Sequence, residues 1–248
     1  MKRFLFLAAI LVTVQVAAAM TGGPMFCVGQ RMTSMTVEAS RVNWQILSPR
    51  TQDGRESVVS ERVGLTARYG LAPFLDVGAT LGAATMSFSD LPRGYSSISE
   101  SWRFAWGAGL RLGIPAVAHR FQFLALVNYT GFQPEATTKR GGKEITSKYL
   151  WHEITPVAAV GVRLGPIVPY VGVGKPYLIG KRDVTVTMNG VPVPSASGSE
   201  DYVDGDQLVR PVVGLEWKLP DGYSLAVEAD GNSEGYWTLS VGLAQVLR

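Results

Sequence analysis

An all-β fold, a closed antiparallel up-and-down transmembrane β-barrel of about ten strands, is what this 248-residue sequence predicts, with eight and twelve as the neighbouring counts. Three observations predict it. Long stretches alternate with a period of two, tight turns alternate with longer polar loops, and the oily faces are too bulky to fit inside a narrow barrel. Residues 101–113 show the first most clearly. Trp102, Phe104, Trp106, Ala108, Leu110 and Leu112 share one phase, and Arg103, Ala105, Gly107, Gly109 and Arg111 share the other. Successive side chains of a strand point to opposite sides, so this stretch has an oily face and a small-or-charged face. At about 12 residues it has the length of a tilted strand crossing a bilayer.

The chain repeats that design. Residues 1–19 begin Met1-Lys2-Arg3, run through an apolar middle and end in three alanines. That pattern predicts a secretory signal peptide cleaved after Ala19, which leaves 20–248 as one barrel domain. An irregular lead-in follows, and the first strand spans 32–47. There Met35, Val37 and Ala39 share one phase while Val42, Trp44 and Ile46 share the other, so a β-bulge near Ser40 and Arg41 is predicted. The second strand, 57–71, sets Val63, Leu65, Ala67, Tyr69 and Leu71 against Arg62, Gly64, Thr66, Arg68 and Gly70. A tight turn at Ala72, Pro73 and Phe74 leads to the third, where Leu75, Val77, Ala79 and Leu81 oppose Asp76, Gly78, Thr80 and Gly82.

Residues 90–100 read as a loop and 101–113 as the fourth strand. The fifth, 120–132, places Phe121, Phe123, Ala125, Val127 and Tyr129 on one side. A charged, Gly-containing loop is predicted at 137–143. The sixth strand, 147–164, sets Ile154, Ala158 and Val160 against Glu153, Thr155, Gly161 and Arg163, and the seventh, 168–186, is interrupted at Lys175 and Pro176. The longest loop is predicted at 189–206. The eighth strand, 207–219, sets Val213, Leu215 and Trp217 against Arg210, Gly214, Glu216 and Lys218. A Pro220-Asp221-Gly222 turn leads to the ninth, 223–230, with Glu228 and Asp230 on its polar face, and the tenth is 235–247.

Volume decides which face points out. Each oily face carries four or five large side chains, and a barrel of this size has only a narrow interior. The oily residues, among them Trp102, Phe104, Trp106, Leu110, Leu112, Val213, Leu215 and Trp217, therefore face lipid. Arg62, Arg68, Asp76, Arg103, Arg111, Glu153, Arg163, Arg210, Glu216, Lys218, Glu228 and Asp230 face the lumen. Aromatics near strand ends (Trp44, Tyr69, Phe74, Trp102, Phe121, Tyr149, Trp151, Trp217, Tyr223, Tyr236 and Trp237) are read as interfacial girdles.

Composition narrows the function classes. Loss of Lys2 and Arg3 with the leader takes 23 basic residues to 21 against 20 acidic ones, a net of about +1. No clustered basic face points to nucleic acid. The single cysteine, Cys27, forms no intramolecular disulfide, and Pro24-Met25-Phe26 is not a lipidation signal, so a partly buried thiol is expected.

Taken together, the leader, residues 69–78 (YGLAPFLDVG), 107–113 (GAGLRLG), 169–174 (PYVGVG) and the amphipathic last strand resemble the small outer-membrane β-barrel proteins of Gram-negative bacteria. This is the broad group around the outer-membrane protein A barrel and its porin-like relatives. The resemblance implies residence in the outer membrane, contact with its lipid and lipopolysaccharide, and insertion by the barrel-assembly machinery. One departure is the ending Val246-Leu247-Arg248, where the family's insertion signal closes on an aromatic residue.

Catalytic chemistry finds little support. The histidines are His119, in a predicted turn, and His152, whose neighbour Glu153 points to the opposite face. No Cys/His cluster suits a transition metal, the acidic stretch 199–206 departs from the EF-hand spacing, and no cofactor is implied. The reading is a non-enzymatic barrel with a structural or surface-interaction role and a lumen filled by charged pairs. Its alternative is a narrow porin for small solutes, anions among them.

Overall fold

The computed structural model describes residues 27–47, 55–88, 101–116, 120–140, 142–204, 209–232 and 236–247. The predicted leader and His119 lie outside them. Ten strands close a ring: β1 (Thr33–Leu47), β2 (Arg55–Ala72), β3 (Leu75–Ala84), β4 (Arg103–Ala116), β5 (Phe121–Phe132), β6 (Lys143–Val162), β7 (Ile167–Gly174), β8 (Arg210–Lys218), β9 (Tyr223–Gly231) and β10 (Trp237–Leu247). Each pairs antiparallel with its sequence neighbours. Closure is made by β1 and β10, in register from Thr33 opposite Leu247 to Asn43 opposite Trp237.

Five strands continue beyond the ring at the loop end, two of them only two residues long (Ser87–Phe88 along β2, and Val191–Pro192). Glu135–Arg140 extends β5 in the same register along β6, Tyr177–Met188 extends β7 along β6, and Gly198–Asp204 precedes β8 and pairs with the extension of β7. The stretch predicted as a loop at 137–143 is therefore largely strand, and the one predicted at 189–206 contains the strand Gly198–Asp204. Their polar residues alternate too weakly to signal a ladder that stands in water on both faces. The predicted interruption at Lys175 and Pro176 is present. Pro176 has no N–H to give, and Lys175 N–H bonds the Pro156 carbonyl at 3.1 Å, which carries the register across the break.

The bulge predicted in β1 is absent. Its register with β2 runs unbroken from Thr33 to Leu47. The slipped hydrophobic phase has another cause: Val42 and Trp44 point into the barrel, as does Ser40 before them. A register shift does occur at the turn end of β2, between Gly70 and Ala72. There the lead-in residues tuck against the barrel end, with Arg31 N–H bonded to the Gly70 carbonyl at 2.8 Å. A side chain at Gly70 would meet the Gly29 carbonyl oxygen at 1.8 Å, so this close approach requires glycine.

Burial alternates along the ring strands, most plainly in β4, β5 and β8. Leu65, Trp106, Leu110, Phe123, Val171, Val213 and Leu215 are exposed on the outer wall, with Leu110 at 51%. Contiguous apolar surface on this scale is not a feature of soluble monomers. If that wall meets hydrocarbon, Leu110→Arg costs roughly 2–4 kcal/mol of folding stability. A urea titration of the barrel refolded into lipid vesicles reads this as a lowered midpoint, and an unmoved midpoint would take Leu110 away from the bilayer centre.

Candidate functional site

The interior is the candidate site. It is built from the inward phase of all ten strands, and three kinds of contact fill it. At the loop end is an aromatic cluster. Trp44 (0% exposed) and Trp151 (1%) meet edge to face at 5.8 Å, and Phe132 lies 6.0 Å from Trp151. The Arg210 guanidinium is sandwiched between Trp44 and Tyr236, 4.8 Å from each ring, with Asp230 Oδ1 3.8 Å from its Nη1. Tyr236 donates its hydroxyl to the Gln45 carbonyl at 2.9 Å, which fixes one side of the sandwich. A buried guanidinium stacked on two rings with a carboxylate beside it is held by cation–π attraction and charge together.

The second group is polar and crosses the middle of the barrel. Arg62 Nη2 bonds Glu153 Oε2 at 2.7 Å, and Thr155 donates to the same carboxylate at 3.3 Å. Arg62 also covers the Phe132 ring at 5.4 Å, so it joins this layer to the aromatic one. Arg68 donates to Thr36 Oγ1 at 3.2 Å, Thr66 and Thr80 bond each other at 2.8 Å, and Arg111 faces Asp76 directly across the β3–β4 ladder. On the opposite wall Tyr170 donates to Glu228 Oε2 at 2.9 Å. Gly214 makes room for that ring, since a Cβ there would lie 2.2 Å from Tyr170 Cζ. Beside it Leu124, Leu126, Val157, Ala159, Tyr170 and Val212 form a second apolar cluster.

The third group seals the turn end. The lead-in enters the barrel, and Val28 N–H donates to Asp76 Oδ2 at 2.9 Å. Cys27 follows it in. Burial first, and then the Asp76 carboxylate, raise its thiol to about 11, with Arg111 opposing both. Between these layers remains a cavity of about 120 Å³, bordered by Glu38, Arg62, Arg68, Asp76, Arg111 and Glu153. Its charged border and its size suit several waters.

The sequence-predicted charges fall as follows. Arg62, Arg68, Asp76, Arg111, Arg210, Glu216, Glu228 and Asp230 are buried, and Glu153 and Lys218 are half-buried on the same phase. Arg103 and Arg163 keep that phase but are exposed at strand ends, Arg103 donating to the Glu135 carbonyl at 3.5 Å. Trp102, Phe104, Trp106, Leu110, Val213, Leu215 and Trp217 are exposed and Leu112 is half-exposed. The girdle reading is corrected for four aromatics. Trp44, Tyr149, Trp151 and Tyr236 are buried inside, because their strands carry them on the inward phase above the polar layer. Sequence reasoning also missed Arg182, buried against Ser147 Oγ at 3.1 Å and over the Tyr149 ring at 5.3 Å. The even-numbered alternation of Leu178, Gly180 and Arg182 was the signal that placed it.

His152 and Glu153 do lie on opposite sides of the wall. Glu153 faces Arg62 within, while His152 Nδ1 on the outside shares a hydrogen bond with the Tyr129 hydroxyl, and Tyr129 packs on Trp106 at 4.8 Å. Among the described residues no group of three or more His, Cys, Asp or Glu is placed to hold a metal ion.

No family model and no curated protein matches this chain. Solved structures do. The translocator domain of the autotransporter NalP from Neisseria meningitidis matches with a TM-score of 0.53 at 12% identity, over 88% of each chain. The outer membrane protease OmpT from Escherichia coli matches with a TM-score of 0.52 at 7% identity, over 88% of this chain and 97% of that one. At such identities the shared property is the fold.

Two outcomes follow from the interior. Arg62→Ala strands the Glu153 carboxylate and costs about 3–5 kcal/mol, whereas replacing both by apolar residues of similar volume recovers most of it. A double-mutant cycle on urea unfolding measures this, and additive losses would show that the pair is uncoupled. The Cys27 thiol stays protonated below about pH 11, so roughly one in a thousand is thiolate at pH 8. Iodoacetamide should label the folded barrel slowly at pH 8 and about tenfold faster for each pH unit up to that value. Labelling at the rate of the urea-unfolded chain would place the thiol outside the barrel.

Proposed function

From the fold of an outer-membrane β-barrel, we propose that this chain is an integral protein of the Gram-negative outer membrane with a closed lumen and a structural or surface-interaction role. In this reading residues 1–19 are removed on export, the assembly machinery inserts 20–248, and the wall meets membrane lipid and lipopolysaccharide. The extended strands at the loop end stand outside the cell as the interaction surface.

The observation that carries the closed lumen is its filling in series. A solute would have to displace the Trp44–Arg210–Tyr236 sandwich, the Arg62–Glu153 pair and the Cys27–Val28 segment in turn. The charge balance supports it too. Among the described residues the buried and half-buried charges of the inward phase are Arg62, Arg68, Arg111, Arg182, Arg210 and Lys218 against Glu38, Asp76, Glu153, Glu216, Glu228 and Asp230, six of each sign, while Arg103 and Arg163 stand exposed at strand ends. An anion-selective pore needs an excess of cations, and this interior is paired instead.

The second reading is the narrow porin, favoured by the water-sized space beside Arg62 and Glu153. A catalytic role is disfavoured because the described histidine sits on the outer wall, separated from the interior carboxylates. OmpT is named a protease, but its likeness here extends to the fold alone.

Planar-bilayer recording distinguishes the first two. The purified barrel is expected to give no stable single-channel steps, and a Trp44→Ala/Trp151→Ala double variant still to give none, because the Arg62–Glu153 pair and the Cys27–Val28 segment remain in series behind the emptied cluster. Steps from the unmodified protein would overturn the closed reading in favour of the porin.

A further inference from the structure

The outer wall carries a depression of about 470 Å³ with an almost wholly apolar lining. Its floor is Ala125 and Ala158, cross-strand partners on β5 and β6. Leu110 and Val127, paired across β4 and β5, rise beside it, and Val173 of β7, opposite Ala158, bounds the far side. At its rim, where β7 breaks before Pro176, stands Lys175. Its ammonium rests 5.2 Å from the centre of the Tyr177 ring, and among the described residues no carboxylate pairs with it.

Height on the wall matters. A tilted strand crosses the hydrocarbon in about 9–11 residues. Counted from Ile167 at the turn end, that sets Lys175 and Tyr177 at the loop-side interface, with the depression just beneath in the apolar band. Bulk lipid chains offer the depression the same apolar contact as any particular chain, so packing alone selects nothing. A cation at the headgroup level does select, because a charge-assisted bond to phosphate is about twice as strong as a neutral one.

We propose that this depression is a docking site for one phosphate-bearing lipid of net negative charge, whose headgroup carries no cation of its own to repel Lys175, its acyl chain laid over Ala125 and Ala158 and its phosphate on the Lys175 ammonium. The site rests on the membrane-spanning reading above. Tyr177 holds the ammonium at the rim and keeps it from snorkelling away, and the alanine floor leaves the width of one chain. The occupant is fixed by position: the depression opens onto lipid, and its one polar contact is cationic.

The test uses the full mature chain in phosphatidylcholine nanodiscs with a minority of phosphatidylglycerol, released into the gas phase for native mass spectrometry. One phosphatidylglycerol per barrel is expected to survive in preference to phosphatidylcholine. Lys175→Gln should reduce that retention by about tenfold, the loss of one hydrogen bond to a charged group. Ala158→Phe, which fills the floor, should abolish it while leaving heat-modifiable migration of the barrel intact. Lys181→Gln is the control, since Lys181 lies on the same edge but already faces Asp183 at 3.5 Å. Equal retention of both lipids, or a Lys181→Gln loss as large as that of Lys175→Gln, would overturn the site. Barrel dimers abolished by Ala158→Phe would also overturn it, by giving the depression to a second copy. A chain that never enters the nanodisc defeats the membrane reading itself, whereas a chain that enters and retains no lipid defeats only this site.

Discussion

Backbone satisfaction is the constraint on which everything else rests. Each strand of an open sheet leaves a row of N–H and C=O groups unpaired, and in hydrocarbon each such group costs several kcal/mol. The pairing of β1 with β10 removes the last two edges. Once the ring is closed, alternation along ten strands sorts every side chain to the inner or the outer face, and no residue on the ladder is free to choose.

Closure also creates the problem that the interior solves. A ring of ten strands encloses a space too wide to be left empty and too narrow for ordinary core packing from both sides. This chain fills it with materials of different kind at different heights. Aromatic rings and a stacked guanidinium occupy the loop end, ion pairs and threonine bonds the middle, and its own lead-in the turn end. Each charge inside has a partner or a ring nearby because an isolated one would be costly. The small residues on the inward phase follow from the same economy of space, as Gly214 shows by yielding its Cβ volume to Tyr170.

The outer wall obeys the opposite rule, since nothing across the ring limits the bulk it carries. Large apolar residues dominate it, and the departures from that rule are informative. The Tyr129–His152 pair and Lys175 beside Tyr177 both lie toward the loop end, where polar groups find partners.

Much of this was legible in the chain. The period of two in residues 101–113, the turns at Pro73 and Pro220, and the bulk of the oily faces determined a closed barrel of ten strands with its greasy side outward, because strand geometry fixes side-chain direction without reference to any distant residue. The charges of the inward phase were legible for the same reason. Four aromatics and the β1 bulge were misread, since a tryptophan near a strand end satisfies a girdle and an interior plug equally well in sequence. The choice depends on what the facing strands present. Trp44 lies inward because Trp151 and Arg210, from strands far along the chain, meet it there, and Cys27 is half-buried because Asp76 and Gly70 receive the lead-in. Periodicity is a local property and settled the wall, whereas the filling of the lumen is a matter of long-range shape and charge, which only the assembled ring could decide.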